Sequence, residues 1–444
     1  MKILCLVLAA VCFLTILTSC APVQTSPETS LPTMENTETP QNAPVNSHLS
    51  TYIPNFRLPD QAVLPDPSQA DADIPQVWTA HCSQCIYLRS TPTGRIIATI
   101  PKGEKVQVLN WERKYAQVIY NGMTGYVPAA NLLPENTQFL QDCLDTVKLH
   151  HIYSYSQLLA DLEALCQRHP DIVTVETIGA STQGRDIPVL RIGDPNAEYH
   201  ILVQGAIHGR EYATAWLVTA MADYWLDHEF YTYRDVCLHI IPMANPDGVT
   251  ISQAGVLDSL QQNIYLSDIE NDHTILYPEI YAARWKANAQ GVDINRNFPA
   301  GWSEADDRDG PSSQNYRGSE PFSTPEAVAL RDYTLRHSFD VTLSYHASGS
   351  VIYWFYGKKA EVNQQSLSLA LAVEGVTGYP PEKNTLAIGA GYKDWAMDAL
   401  EIPSLTVEIG YGEAPLAPVE LYSIFARNYQ ALPTVAQWVR QNHD

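Results

Sequence analysis

Beyond about residue 155 the chain repeats one pattern, a short apolar run followed by a longer stretch at helical spacing, and this repetition constrains its fold more than any other feature. Runs at 172–178, 187–192, 201–205, 237–242, 341–345, 351–355 and 404–409 read as strands. Helices fit between them at 212–228, 325–337, 362–378 and 420–441. Leu158, Leu159, Leu162 and Leu165 follow the spacing of a further helix, which stops at His169-Pro170. Strands alternating with helices predict a single α/β domain over about 148–444.

Residues 78–134 follow a different rule. Apolar and polar residues alternate in short runs such as Tyr115-Ala116-Gln117-Val118-Ile119-Tyr120, separated by turn residues at 92–94, 101–103 and Asn121-Gly122. That pattern predicts a small all-β barrel. Leu88-Arg89-Ser90, Ile100-Pro101-Lys102-Gly103 and Tyr120-Asn121-Gly122-x-x-Gly125-Tyr126-Val127 make the segment resemble the bacterial SH3-like domain. The resemblance implies a module that binds cell-wall peptidoglycan, or one that serves as a docking spacer.

The first 20 residues carry Lys2, an apolar run to Leu17 and the ending Leu17-Thr18-Ser19-Cys20. This reads as a signal peptide whose end resembles a bacterial lipobox, with Cys20 as the lipidated residue. A lipid there would anchor the chain to the outer face of a bacterial membrane. Residues 21–77, rich in Pro, Ser, Thr, Asn and Gln, read as a flexible tether that cannot offset the entropy of ordering. The net charge of −22 argues against nucleic acid as a partner. Cys82-x-x-Cys85 has no second pair at zinc-knuckle spacing, so buried thiols or one disulfide are expected there.

The first chemical signal is His208-Gly209-Arg210-Glu211, where a strand runs into the start of a helix. Strand ends in α/β sheets are where ligands bind. A histidine and a glutamate three apart can converge on one cation, and both donor types suit zinc. His346, at the end of another apolar strand, supplies a third donor.

The order His-x-x-Glu, Asp293-Ile294-Asn295-Arg296, Ser344-Tyr345-His346 and Thr406-Val407-Glu408 resembles the zinc carboxypeptidase family. So do Ile178-Gly179-x-Ser181-x-x-Gly184-Arg185 and Asn245-Pro246-Asp247-Gly248, and the likeness spans about 150–440. It implies a central mixed sheet flanked by helices and one zinc ion on His208, Glu211 and His346, with the fourth position open to water. Glu408 would be the general base. Asp293 would orient a ligand imidazole, or be a structural turn residue. Asn295 and Arg296 would grip a substrate carboxylate. Arg210 would be a further substrate-side cation or a surface charge.

Two departures from the family pattern narrow the expectation. Where an arginine after a tryptophan would hold the oxyanion, the chain has Arg284-Trp285-Lys286, so either Lys286 or Arg284 takes that role. The position of a mobile substrate-side tyrosine falls on Leu386, so that contact is lost or comes from Tyr392. The segment Gly389-Ala390-Gly391-Tyr392-Lys393-Asp394-Trp395 resembles a bacterial branch that cleaves γ-D-glutamyl to diamino-acid bonds in peptidoglycan stem peptides. Lys393 or Lys286 would then pair with a substrate carboxylate. The expected activity is a wall-peptide zinc peptidase. The alternatives are a metallocarboxypeptidase acting on ordinary peptides and a non-catalytic wall-binding lipoprotein.

Overall fold

The computed structural model describes residues 77–80, 85–112, 115–134, 143–149, 152–274, 276–305, 308–383, 389–418 and 420–442. The expectations for the 1–20 leader, Cys20, the tether up to residue 76, Cys82 and Leu386 lie outside them.

The first seven strands are β1 (Val77–Ala80), β2 (Cys85–Arg89), β3 (Ile96–Pro101), β4 (Lys105–Glu112), β5 (Tyr115–Tyr120), β6 (Met123–Pro128) and β7 (Leu132–Pro134). They form one antiparallel sheet in the order β3-β2-β6-β5-β4-β1-β7. In β5 the alternation expected from sequence appears as Ala116, Val118 and Tyr120 buried between half-buried neighbours. Asn121 (φ 48°) and Gly122 (φ 76°) turn the chain into β6, the positive-φ pair that a two-residue hairpin requires. Trp78, Leu88, Ile100, Val118 and Val127 fill the interior. Ala426 and Tyr411, from the far end of the chain, pack against that same core, so the barrel is docked on the α/β body.

The body has a mixed sheet of β8 (Val173–Ala180), β9 (Asp186–Ile192), β10 (Tyr199–Gln204), β11 (Val236–Ile241), β12 (Val341–Ala347), β13 (Val351–Tyr353), β14 (Pro381–Glu382) and β15 (Ser404–Ile409). The order is β14-β13-β15-β12-β10-β11-β9-β8, with β15, β12, β10 and β11 parallel at its centre. Every residue of β11 and β12 is buried, as expected of parallel strands covered on both faces. Each large aliphatic side chain there contributes about 1.5–3 kcal/mol. The covering helices are α1 (Tyr155–Arg168), α2 (Ala213–Tyr224), α3 (Pro246–Ala254), α4 (Ser259–Glu270), α5 (Pro278–Ala283), α6 (Pro325–Arg336), α7 (Ala360–Thr377), α8 (Tyr392–Ala399), α9 (Glu420–Asn428) and α10 (Ala431–Asn442).

Two differences from the sequence expectation matter. The Asn245-Pro246-Asp247-Gly248 turn opens a helix: Asn245 caps α3 by accepting from Gly248 N, and proline takes the first helical position. The C-terminal helix is split into α9 and α10 between Asn428 and Ala431. Among the described residues no helix is long and apolar enough to cross a membrane.

Candidate metal centre

Three parallel strands deliver their C-terminal ends to one place. His208 follows β10, His346 is the sixth residue of β12, and Glu408 lies beside His346 in register on β15. Glu211 closes the short turn Gly209–Glu211 that leads into α2. Glycine is required at Gly209, because a Cβ there would sit 2.4 Å from the Gly248 backbone. That approach seats the His208 turn on the start of α3. Asn245 fastens the same junction, its Nδ2 donating to the carbonyls of Ile207 and Ala287. Buried Asp247 accepts from Ser181 Oγ, Gln183 N and Arg185, which accounts for the Ser181-x-x-Gly184-Arg185 motif.

The donor atoms converge. His208 Nδ1 lies 2.9 Å from Glu211 Oε1, His346 Nδ1 lies 3.0 Å from Glu211 Oε2, and the two Nδ1 atoms are 3.1 Å apart. All three residues are buried. Two imidazole nitrogens and a carboxylate aimed at one point form a zinc-type donor set. On the far side of the first ring, His208 Nε2 faces Asp293 Oδ1 at 3.2 Å, which favours a lone pair on the Nδ1 that faces the other donors. His208, Glu211 and His346 therefore fit a zinc ion.

Charge is held around this group. Burial alone would raise the Glu211 carboxyl, but His208 and His346 outweigh it and hold the group well below the usual carboxylate range. Asp293 follows the same balance, with Lys286 and His208 overriding its burial. Burial pushes Glu408 up to about 7, against the pull of His346, Lys286 and Arg210.

A cavity of about 440 Å³ opens beside the three donors. Its lining includes Lys286, Asn295, Arg296, Glu408, Tyr353, Phe355, Lys358 and Lys393. Asn295 is fixed by accepting from Tyr392 N at 3.0 Å. Lys286 reaches in, 3.2 Å from Asp293 Oδ2. Lys393 lines the cavity while donating to Asp394 Oδ1 at 2.6 Å and to the Phe355 carbonyl.

Three residues singled out from the sequence are not among those lining the cavity. Arg284 turns outward to pair with exposed Glu413 at 2.7 Å, while Lys286, on the other side of buried Trp285, lines the cavity. Tyr392 is directed into the core, its hydroxyl 2.9 Å from Thr334 Oγ1 and its ring against Phe298 and Trp395, so only its backbone serves the cavity. Arg210 contacts the Arg284 carbonyl and Gln314 at 3.4 Å. Lys358 was not anticipated. Its only sequence signal is the Lys358-Lys359 pair just after β13.

Comparison with known proteins follows the same division of the chain. Residues 158–434 match the zinc carboxypeptidase family, and residues 86–132 match the bacterial SH3 domain. Gamma-D-glutamyl-L-diamino acid endopeptidase 1 of Lysinibacillus sphaericus is 30% identical over 287 residues, which cover 62% of this chain and 69% of that protein. Carboxypeptidase B of Astacus astacus is 26% identical over 211 residues, covering 46% of this chain and 63% of its own length. The crystal structure of the carboxypeptidase A from Helicoverpa armigera superposes with a TM-score of 0.52 at 20% identity, covering 74% of this chain and 92% of that one, and so shares the fold. With a donor set that fits zinc and a family match across most of the α/β body, the chain belongs to the zinc carboxypeptidase family and is a zinc metallopeptidase.

Proposed function

We propose that this enzyme hydrolyses amide bonds in peptidoglycan stem peptides, at the bond between a γ-D-glutamyl residue and a diamino acid. The observation that carries this reading is the charge of the cavity. On a chain of net charge −22, Lys286, Arg296, Lys358 and Lys393 all line one pocket beside the metal ligands. A peptide cleaved at its C-terminal residue presents one carboxylate near the scissile bond. A γ-D-glutamyl amide adds a free α-carboxylate on the other side of that bond. The Lysinibacillus relative, named for this bond, supports the same substrate class.

His208, Glu211 and His346 would hold one zinc ion, which when bound supplies Lewis-acid polarisation of the scissile carbonyl and a water acidified toward neutrality. Glu408 takes a proton from the attacking water and passes it to the departing amine. Lys286 faces the oxygen on which negative charge develops. Arg296, with Asn295, binds a substrate carboxylate, and guanidinium suits that task by its planar donors. Lys358 and Lys393 receive the second carboxylate, Lys393 by exchanging its contact with Asp394.

The barrel would direct the enzyme to the cell wall, and a lipid on Cys20 would hold it to the outer face of the membrane. A Cys20→Ala chain recovered in the soluble rather than the membrane fraction is the expected result, and unchanged retention would remove the anchor. The retained Asn295 and Arg296 favour removal of C-terminal residues from ordinary peptides as the second reading. Mass spectrometry of products from a muropeptide mixture, beside a simple peptide, separates the two. Cleavage between γ-D-glutamate and the diamino acid supports the first, and loss of one C-terminal residue from the simple peptide alone overturns it.

A further inference from the structure

At the opposite end of the sheet from the catalytic group lies a second convergence of metal-binding side chains. His200 and Cys237 are register partners on the neighbouring parallel strands β10 and β11, and His239 follows two residues later on the same face of β11. His200 Nδ1 and His239 Nε2 are 3.0 Å apart, close to the separation of the two imidazoles in the catalytic group. The donor atoms of His200, Cys237 and His239 all lie within 4.8 Å of one another.

We propose that His200, Cys237 and His239 form a second transition-metal site, one that binds a borderline-soft cation of the zinc type and ties β10 to β11 away from the catalytic centre. Two imidazoles and a thiol select such an ion over magnesium or calcium. The remaining ring nitrogen of His239 is occupied, with Nδ1 2.6 Å from Tyr333 Oη on α6. Outer hydrogen bonds of this kind fix the tautomer and aim of a ligand imidazole. Burial keeps the rings of His200 and His239 neutral, leaving lone pairs to donate. Cys237 is buried and forms no disulfide, and its thiol is pushed up to about 12 by burial. Its proton must therefore leave to solvent as the sulfur–metal bond forms. Half-exposed His200 gives an ion a way in.

Nothing in this site depends on the peptidase substrate, and thiolate ligation distinguishes it, because His208, Glu211 and His346 offer no sulfur. The full chain would be stripped with chelator and titrated with Co²⁺. Uptake of a second equivalent, with a thiolate-to-cobalt charge-transfer band in the near ultraviolet, is the expected result. In Cys237→Ser the band is lost, stoichiometry falls to one and peptide hydrolysis persists. If that variant does not fold, His200→Gln is expected to show the same fall in stoichiometry. Uptake of a single equivalent by the unaltered chain, absence of the band, or its survival in Cys237→Ser would each overturn the assignment. In that case His239 and His200 only continue a hydrogen-bond chain from Tyr333, and Cys237 is a buried thiol beside it.

Discussion

At the C-terminal end of the central strands two imidazoles approach to 3.1 Å beside a carboxylate, and at the N-terminal end two approach to 3.0 Å beside a thiol. Their surroundings differ. The first group opens on a cavity of about 440 Å³ with two carboxylates, Glu408 and Asp394, and four cations in its walls. In the second, Tyr333, His337 and Phe339 pack against His239, and His200 is half-exposed. Adjacent parallel strands can bring donors together at either end of a sheet. Room for a substrate, a base and countercharges is found only where the strand-to-helix loops splay apart.

The sharpest way to break this contrast is to remove the base and keep the ligands. Glu408→Gln should lower the hydrolysis rate by about 10²–10⁴-fold with zinc content unchanged, read by kcat alongside metal analysis. Equal loss of zinc would make Glu408 a ligand instead. A smaller effect separates the two cations beside Trp285. Lys286→Ala should cost about 10²–10³ in kcat, whereas Arg284→Ala, which removes a guanidinium paired with Glu413 at the surface, should leave kcat as it was. The reverse ranking would return the oxyanion role to Arg284.

Asp293→Asn should weaken zinc binding at the catalytic end by about 10–100-fold, measured by chelator competition, and leave cobalt uptake at Cys237 untouched. The smallest effect concerns Glu229, in the segment between α2 and β11, whose carboxyl is raised by burial to about 7. Because its folded value lies above the unfolded one, the stability it contributes is full below the ordinary carboxylate pKa and is lost as pH rises through about 7. The Tm of the native chain should fall across that window, and Glu229→Gln should flatten the decline. An identical decline in the variant would assign it to other groups.

Much of this molecule was legible before folding. The strand at 404–409 is reproduced residue for residue, and the ligand positions were implied by the resemblance of His208-x-x-Glu211 and Ser344-Tyr345-His346, in that order, to the zinc carboxypeptidase motifs. The helices at 246–254 and 392–399 were missed because each begins on residues that also make turns, Asn-Pro in one case and Gly-Tyr in the other.

What the sequence alone determined was therefore periodic and local: the alternating strands of the barrel, the α/β repeat, and donors placed at strand ends. Direction was left to tertiary structure. Around buried Trp285, Lys286 lines the cavity and Arg284 pairs with Glu413 at the surface. Tyr392 joined the core because Phe298 and Trp395 offered its ring a packed site, and Lys358 entered the cavity only through the path of the chain after β13. Spacing along a strand or helix fixes which residues share a face, but which neighbours that face meets is decided by packing between segments far apart in the chain.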